Sequence, residues 1–179
     1  SLCLLLHYEA QKIQSYFGDG GRFGVSITYV VEKTPLGTAG ALLSALDHLK
    51  SSFLVLYADV YSDVDLSHLI FTHATSGADV TVVAHPNSHP HDSDILVLDD
   101  ESRVTAISAH PHKSGINIRN MVNAAMYVFN RSVLSTLVLR ENVKNDIAQH
   151  LLPQMLENSS ELIAYKTLEY LKDMGTPER

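Results

Sequence analysis

Cysteine occurs once in the 179-residue chain, at Cys3. One thiol forms no internal disulfide and supplies no cysteine-based zinc site, so a reducing cytoplasm is the expected compartment. Long apolar runs are missing as well. None approaches the roughly 20 residues of a membrane span, and Leu2–Leu6 lacks both the length and the basic lead of a signal-peptide core. Positive charge is scarce: 13 Lys and Arg stand against 20 Asp and Glu, for a net charge of −7. Without a basic patch, the chain lacks the electrostatic footprint of a nucleic-acid binder or of a protein held on an anionic membrane. Gly-x-Ser-x-Gly is absent, which removes the nucleophile elbow of a hydrolase. Repeats, low-complexity stretches and linkers are absent too, so residues 1–179 read as one domain.

What is present suits a globule. Hydrophobic residues make up 45% and charged residues 18%. At this length, folding buries about 70% of the unfolded surface. Short apolar runs predict strands at Leu2–Leu6, Val25–Val31, Phe53–Tyr57, Val80–Ala84, Val122–Phe129 and Leu162–Lys166. Helical spacing covers Tyr8–Phe17, the stretch after Thr38 with Leu42, Leu43, Leu46 and Leu49, Leu66–Thr75, Ser132–Leu139, and Asp146–Glu157, the last interrupted near its middle by Pro153. Thr38 is placed to cap the second of these. Ile95–Leu98 and Val104–Ile107 read as a hairpin, Tyr61–Asp65 as turns, and Leu168–Arg179 as loop or helix start. Strands alternating with amphipathic helices predict an α/β fold, a Rossmann-like three-layer sandwich with a mixed, mainly parallel central sheet. Ligands of such sheets sit beyond the carboxyl ends of strands.

Several residues fall at those ends. Asp59 directly follows Phe53–Tyr57, where a carboxylate either holds Mg²⁺ against phosphates or caps the next turn. Pro35-Leu36-Gly37-Thr38-Ala39-Gly40 joins a strand to a helix and matches neither the dinucleotide fingerprint nor a Walker loop. Its small residues let a planar or anionic ligand approach the backbone. Asp173-Met174-Gly175 is a second acidic turn. Of ten histidines, His85, His89 and His91 form one group and His110 and His112 another. Pro86, Pro90 and Pro111 break both groups, which suits polar binding loops better than a metal cluster.

Taken in order, these segments resemble the sugar-phosphate nucleotidyltransferases from Leu2 to Arg179. The stretch YEAQKIQSYFGDGGRFGVSITYVVEKTPLGTAG is similar to that family's helix, F-G-D-G turn, Y-x-x-E strand and P-L-G-T-A-G turn. FLVLYADV, MVNAAMYVFN and EYLKDMGTPER are similar to its strand ending in Asp, its N-A-G strand and its closing D-x-G-T-P-E. HPNSHPHDSDILVLDDESRV resembles the branch that acts on heptose 1-phosphate with GTP, with mannose-1-phosphate guanylyltransferases as near neighbours.

The resemblance implies attack of a sugar 1-phosphate on the α-phosphorus of a nucleoside triphosphate. It assigns Leu36, Gly37, Thr38 and Ala39 to the nucleotide, Asp59 and Asp173 to Mg²⁺, and Asn123, His110 and Asp94 to the sugar. It also assigns the 85–94 loop as a cover over the sugar.

Three departures stand out. Asn123-Ala124-Ala125 replaces N-A-G, where the added methyl is expected to crowd the sugar. Ala109-His110-Pro111 replaces E-K-P. The family's opening strand, its G-G-x-G-T-R-L phosphate loop and the following Pro-Lys-Pro do not occur, so the chain reads as N-terminally truncated. That loss predicts unpaired strand edges and a homo-oligomer. It leaves two functions open: a nucleotidyltransferase, or an inactive relative that binds sugar phosphate or nucleotide or serves as an interaction protein.

Overall fold

The computed structural model describes residues 1–88, 90–112, 120–138 and 143–175. His89 and the Thr176-Pro177-Glu178 portion of the closing motif therefore lie outside the described residues, as do Leu139 and residues 113–119.

The chain runs β1 (Leu2–Leu6), α1 (Ala10–Phe17), β2 (Ile27–Val31), α2 (Gly37–Ser44), β3 (Ser52–Leu56), β4 (Val60–Ser62) and α3 (Leu66–Ser76). It continues through β5 (Val80–His85), β6 (Ile95–Leu98), β7 (Val104–Ser108), β8 (Val122–Asn130) and α4 (Arg131–Leu134). A π-helical turn, Ile147–Leu151, leads into α5 (Leu152–Glu157), β9 (Leu162–Lys166) and β10 (Leu171–Asp173).

The main sheet has six strands and is mixed. β8 runs antiparallel to β5 along one edge and antiparallel to β3 and β6 along the other, while β9 runs parallel to β5. β3, β5, β6 and β9 thus share one direction, and β7 and β8 run against them. Because β8 is reversed, its first residues lie at the carboxyl end of β5, with Asn123 opposite Ala84.

Strand alternation sorts the core onto two faces. Val80, Val82, Ala84, Tyr127 and Phe129 pack beneath α2, the π turn and α5. Val83, Met126 and Val128 join Leu69 of α3 and Tyr165 on the opposite face. One buried polar set locks α3 to the sheet. His73 engages Thr81 Oγ1 through Nδ1 at 2.9 Å and Asn130 Oδ1 through Nε2 at 3.2 Å. Asn130 Nδ2 donates to Ala78 O, which fixes its amide and makes His73 Nε2 the donor.

The first βαβ unit is built differently. β1 pairs in parallel with β2 from Leu2↔Ile27 to Leu6↔Val31, and the described residues give its other edge no partner. β3 likewise has one partner strand, β8. None of the residues in α1 is buried. Tyr16, Phe17 and Phe23 cluster at the surface, and the Arg22 guanidinium lies 4.5 Å from the ring centres of Tyr16 and Phe23. The expected open strand edge is present in β1.

Five local readings need correction. The turns expected at Tyr61–Asp65 contain β4, and the loop expected after Leu168 contains β10. The two pair antiparallel with Asp173 opposite Val60, a long-range pairing of three residues each that leaves no periodic trace. The helix expected over Ser132–Leu139 is only Arg131–Leu134. Pro153 does not interrupt its helix. It lies in the first turn of α5, where its missing N–H costs nothing, and the wider π turn precedes it. Thr38 is not a cap: α2 starts at Gly37 and makes no side-chain cap bond.

β8 carries a strained residue. Ala125 has φ +54°, left-handed backbone within a strand, beside the register shift between Val82 and Ala84 of β5. Its methyl lines a cavity of 320 Å³ with Leu56, Val60, Val64, Leu66 and Met126. The added methyl at this left-handed position imposes a backbone cost, which explains why glycine suits it. Ala125→Gly is expected to raise stability by about 1 kcal/mol and Tm by about 3 °C. Calorimetry of the two proteins checks it.

Candidate active site

The β2–α2 turn is held from outside. Gly37 adopts φ +79°, and a Cβ there would collide with the Asn145 backbone, reaching its carbonyl oxygen and coming within 2.8 Å of its nitrogen. Leu36 O accepts the Asn145 N–H at 2.8 Å, and Ala39 N–H donates to Asn145 O at 2.9 Å. Thr38 Oγ1 donates to Asp146 Oδ2 at 2.8 Å and accepts the Ile147 N–H at 2.9 Å. Asp146 Oδ1 accepts the N–H groups of Ala148 and Gln149, capping the π turn. Glycine is thus required at position 37 both by its backbone angle and by the approach of a second chain segment.

This latch decides what the four turn residues can offer. Ala39 is fully buried in the core, and the Thr38 hydroxyl is committed to Asp146 and Ile147. Leu36 keeps 39% of its surface exposed and is the side chain that faces out. Just before the turn, Glu32 holds a buried carboxylate oxygen, Oε1, with no hydrogen-bond partner.

Asp59 and Asp173 come together. Val60 pairs with Asp173, Met174 N–H donates to Asp59 O at 2.8 Å, and Gly175 N–H donates to Asp173 Oδ1 at 2.8 Å. A Cβ on Gly175 would lie 2.9 Å from Asp59 Oδ2 and 3.1 Å from Asp173 Oδ1. The missing side chain leaves the space in which the two carboxylates face one another. No group of three or more His, Cys, Asp or Glu converges anywhere among the described residues, so the site is a pair.

Asn123, Asp94 and His110 meet where β6, β7 and β8 begin or end. Ile95 pairs with both Ser108 and Val122. Asp94 O accepts the Asn123 N–H at 2.9 Å, and Asp94 Oδ1 accepts the His110 N–H at 2.9 Å. Burial raises the Asp94 carboxyl above its ordinary range. The His110 N–H bond and the imidazoles of His110 and His112 oppose that rise, and the Asp146 carboxylate adds to it. Asn123 Nδ2 donates to Tyr127 Oη at 2.8 Å, and Asn123 Oδ1 accepts the Ala125 N–H. Tyr57 stands between the two halves, its ring 6.4 Å from that of Tyr127 and its hydroxyl against Thr38 and Tyr127. In the 85–94 loop, the Asn87 side chain donates to Ser93 Oγ at 3.0 Å, and the Asn87 N–H donates to Asn120 Oδ1 at 3.0 Å.

The structure therefore brings Asp59 to Asp173, and Asn123 to Asp94 and His110. It also adds Glu32, Tyr57 and Asp146, which sequence reading left without roles, and sets His112 of the second histidine group beside His110. Tyr57 was visible as the last residue before Ala58-Asp59. Asp146, far along the chain from Thr38, gave only the signal of a helix cap.

The mixed sheet between helical layers is an α/β fold, and the solved structures it resembles identify it as the nucleotide-diphospho-sugar transferase fold. The family model described as "Nucleotidyl transferase" matches residues 1–179, and the chain belongs to that family. It is 31% identical to a mannose-1-phosphate guanylyltransferase of Mycobacterium tuberculosis over 173 residues, 96% of this chain and 47% of that protein. It is 33% identical to a mannose-1-phosphate guanyltransferase of Candida albicans over 159 residues, 87% of this chain and 42% of that protein. The chain thus spans about half the length of the curated relatives it matches. Its fold resembles the crystal structure of HddC from Yersinia pseudotuberculosis complexed with GMP-PN, with a TM-score of 0.76 at 21% identity, covering 98% of this chain and 73% of that one. Among the described residues, no helix is long and apolar enough to cross a membrane.

Thr38→Val removes both latch bonds and leaves the buried Ile147 N–H unpaired. A loss of about 2 kcal/mol is expected, read as a lower urea midpoint. Burial, reinforced by the Asp146 and Asp94 carboxylates and opposed by the Thr38 and Tyr127 hydroxyls, pushes the Tyr57 phenol up to about 12. The folded protein holds this proton more tightly than the unfolded chain, whose tyrosines ionise near pH 10. The stability tied to Tyr57, about 2 kcal/mol, is intact below pH 10 and declines as pH rises from there toward 12. Urea midpoints from pH 8 to 11, and their flattening in Tyr57→Phe, measure it.

Proposed function

We propose that this chain serves transfer of GMP from GTP to a sugar 1-phosphate, mannose or heptose, giving a GDP-sugar and pyrophosphate. The observation that carries the reading is the meeting of Asp59 and Asp173 at Gly175, beyond the carboxyl ends of the strands. In the reaction, a phosphate oxygen of the sugar 1-phosphate bonds to the α-phosphorus. The bond from that phosphorus to the bridging oxygen breaks, and pyrophosphate leaves with the electron pair. No protein atom bonds covalently, so alignment and charge neutralisation carry the catalysis.

The donor set suits Mg²⁺, a hard ion that takes carboxylate oxygens and keeps most of its waters: Asp59 and Asp173 come together at Gly175. Held by Asp59 and Asp173, Mg²⁺ would neutralise phosphate charge. Leu36 would cover one face of the base. Asn123 and Asp94 would orient the sugar. Guanine is favoured over other bases by Glu32. Its unpaired carboxylate oxygen accepts hydrogen bonds, and the Watson–Crick edge of guanine offers N–H donors at two adjacent atoms.

In a second reading, the protein binds nucleotide sugars without turning over triphosphate. Calorimetry with GTP, GDP-mannose and mannose 1-phosphate, alongside chromatographic assay of GDP-mannose formation with Mg²⁺, separates the two. Binding with turnover supports transfer, binding alone supports the second reading, and no binding at millimolar ligand rejects both. Glu32→Gln is expected to weaken GDP-mannose binding about tenfold, because the amide places a donor against donors. Asp59→Asn is expected to remove the dependence of affinity on Mg²⁺.

A further inference from the structure

Among the described residues, two buried side-chain polar atoms have no hydrogen-bond partner: Glu32 Oε1 and His112 Nε2. A native fold rarely tolerates such atoms, since each carries the cost of desolvation without return. Glu32 stands just before the nucleotide turn. His112 stands at the other end of the site, in the set that holds Asn123 and Asp94.

The placement of His112 follows from the strand junction. Ser108 ends β7 and pairs with Ile95, the neighbour of Asp94. His112 Nδ1 lies 2.9 Å from Ser108 Oγ, which fixes the ring. His110, whose N–H is bonded to Asp94 Oδ1, packs edge-on to His112 with ring centres 6.2 Å apart. The charged and titratable groups around Asp94 are therefore His110, His112 and Asp146. Asp94 Oδ2 is left as an acceptor, and Asn123 keeps one amide hydrogen beyond the one given to Tyr127.

Resting on the proposed function, we propose that His112 is a specificity-determining ligand of the acceptor sugar, its Nε2 paired with a ring hydroxyl beside Asp94. Two arguments select a hydroxyl. Ser108 can donate to His112 Nδ1 or accept from it, so Nε2 is a donor in one tautomer and an acceptor in the other. A hydroxyl satisfies either, whereas a phosphate oxygen satisfies only the donor. The neighbouring Asp94 and Asp146 carboxylates also repel phosphate and welcome a hydroxyl proton. The pocket thus offers an acceptor at Asp94, a donor at Asn123 and an adaptable group at His112, a pattern that fits neighbouring hydroxyls on one sugar ring.

The test uses the full chain, calorimetry, and two substitutions. His112→Asn keeps an atom near Nδ1 for Ser108 and deletes Nε2, while His112→Gln returns a polar atom near Nε2. Mannose 1-phosphate is expected to bind His112→Asn about tenfold more weakly than wild type, with GTP affinity unchanged and His112→Gln within about threefold of wild type. Among monodeoxy analogues of mannose 1-phosphate, the one lacking the contacted hydroxyl is expected to bind His112→Asn and wild type equally. Equal binding of mannose 1-phosphate by His112→Asn and wild type would overturn the assignment, as would a parallel loss of GTP affinity. If wild type binds neither GTP nor mannose 1-phosphate, the proposed function itself fails, and the assignment fails with it.

Discussion

Asp146 holds together parts of the molecule that the chain keeps far apart. One of its carboxylate oxygens closes the π turn through two backbone N–H groups, and the other receives the Thr38 hydroxyl. The Asn145 backbone beside it both donates to and accepts from the glycine turn. Because the carboxylate is charged and its bonds are charge-assisted, this contact is stronger than a typical neutral hydrogen bond. It sets the position of Leu36 and Gly37, and through Tyr57 it reaches the Tyr127–Asn123 pair. The β2–α2 turn and the Asn123–Asp94 cluster therefore share one support.

That arrangement separates residues that build the site from residues that meet a ligand. Thr38, Tyr57, Tyr127 and Asp146 spend their polar atoms on one another. Glu32 Oε1 and His112 Nε2 are buried without partners among the described residues. Desolvating a polar group without a partner is costly, so its survival at both ends of one site is a physical mark of where binding is completed.

Much of the fold was legible in local sequence. Leu2–Leu6, Val80–Ala84 and Leu162–Lys166 are short apolar runs with no alternative periodicity, and they are strands. Pro35–Gly40, Asp59 and Asp173 were legible because each combines a strand end with turn or acidic residues. What escaped was non-local or conformational. The β4–β10 pairing, the Thr38–Asp146 bond and the Asp94–His110 contact each join distant segments, and propensity carries no signal for them. The left-handed backbone of Ala125 accompanies a bulge of β8 against β5, a long-range feature that alanine's own propensity does not signal. The apparent Pro153 break came from applying helix-interior rules to a residue that occupies a first turn.

The first βαβ unit buries little side-chain surface: α1 has no buried residue, and β1 is paired along one edge. The cooperative core begins at Ala39 and Leu42, directly after the latched turn. Side-chain burial thus falls into two tiers, sparse up to Glu32 and dense from Ala39 onward. The Asn145 contact is the boundary between the tiers. Glu32 sits on the sparse side of that boundary and the rest of the site on the dense side, so an occupant bridging the two would act as a clasp, closing the outer tier onto the inner one.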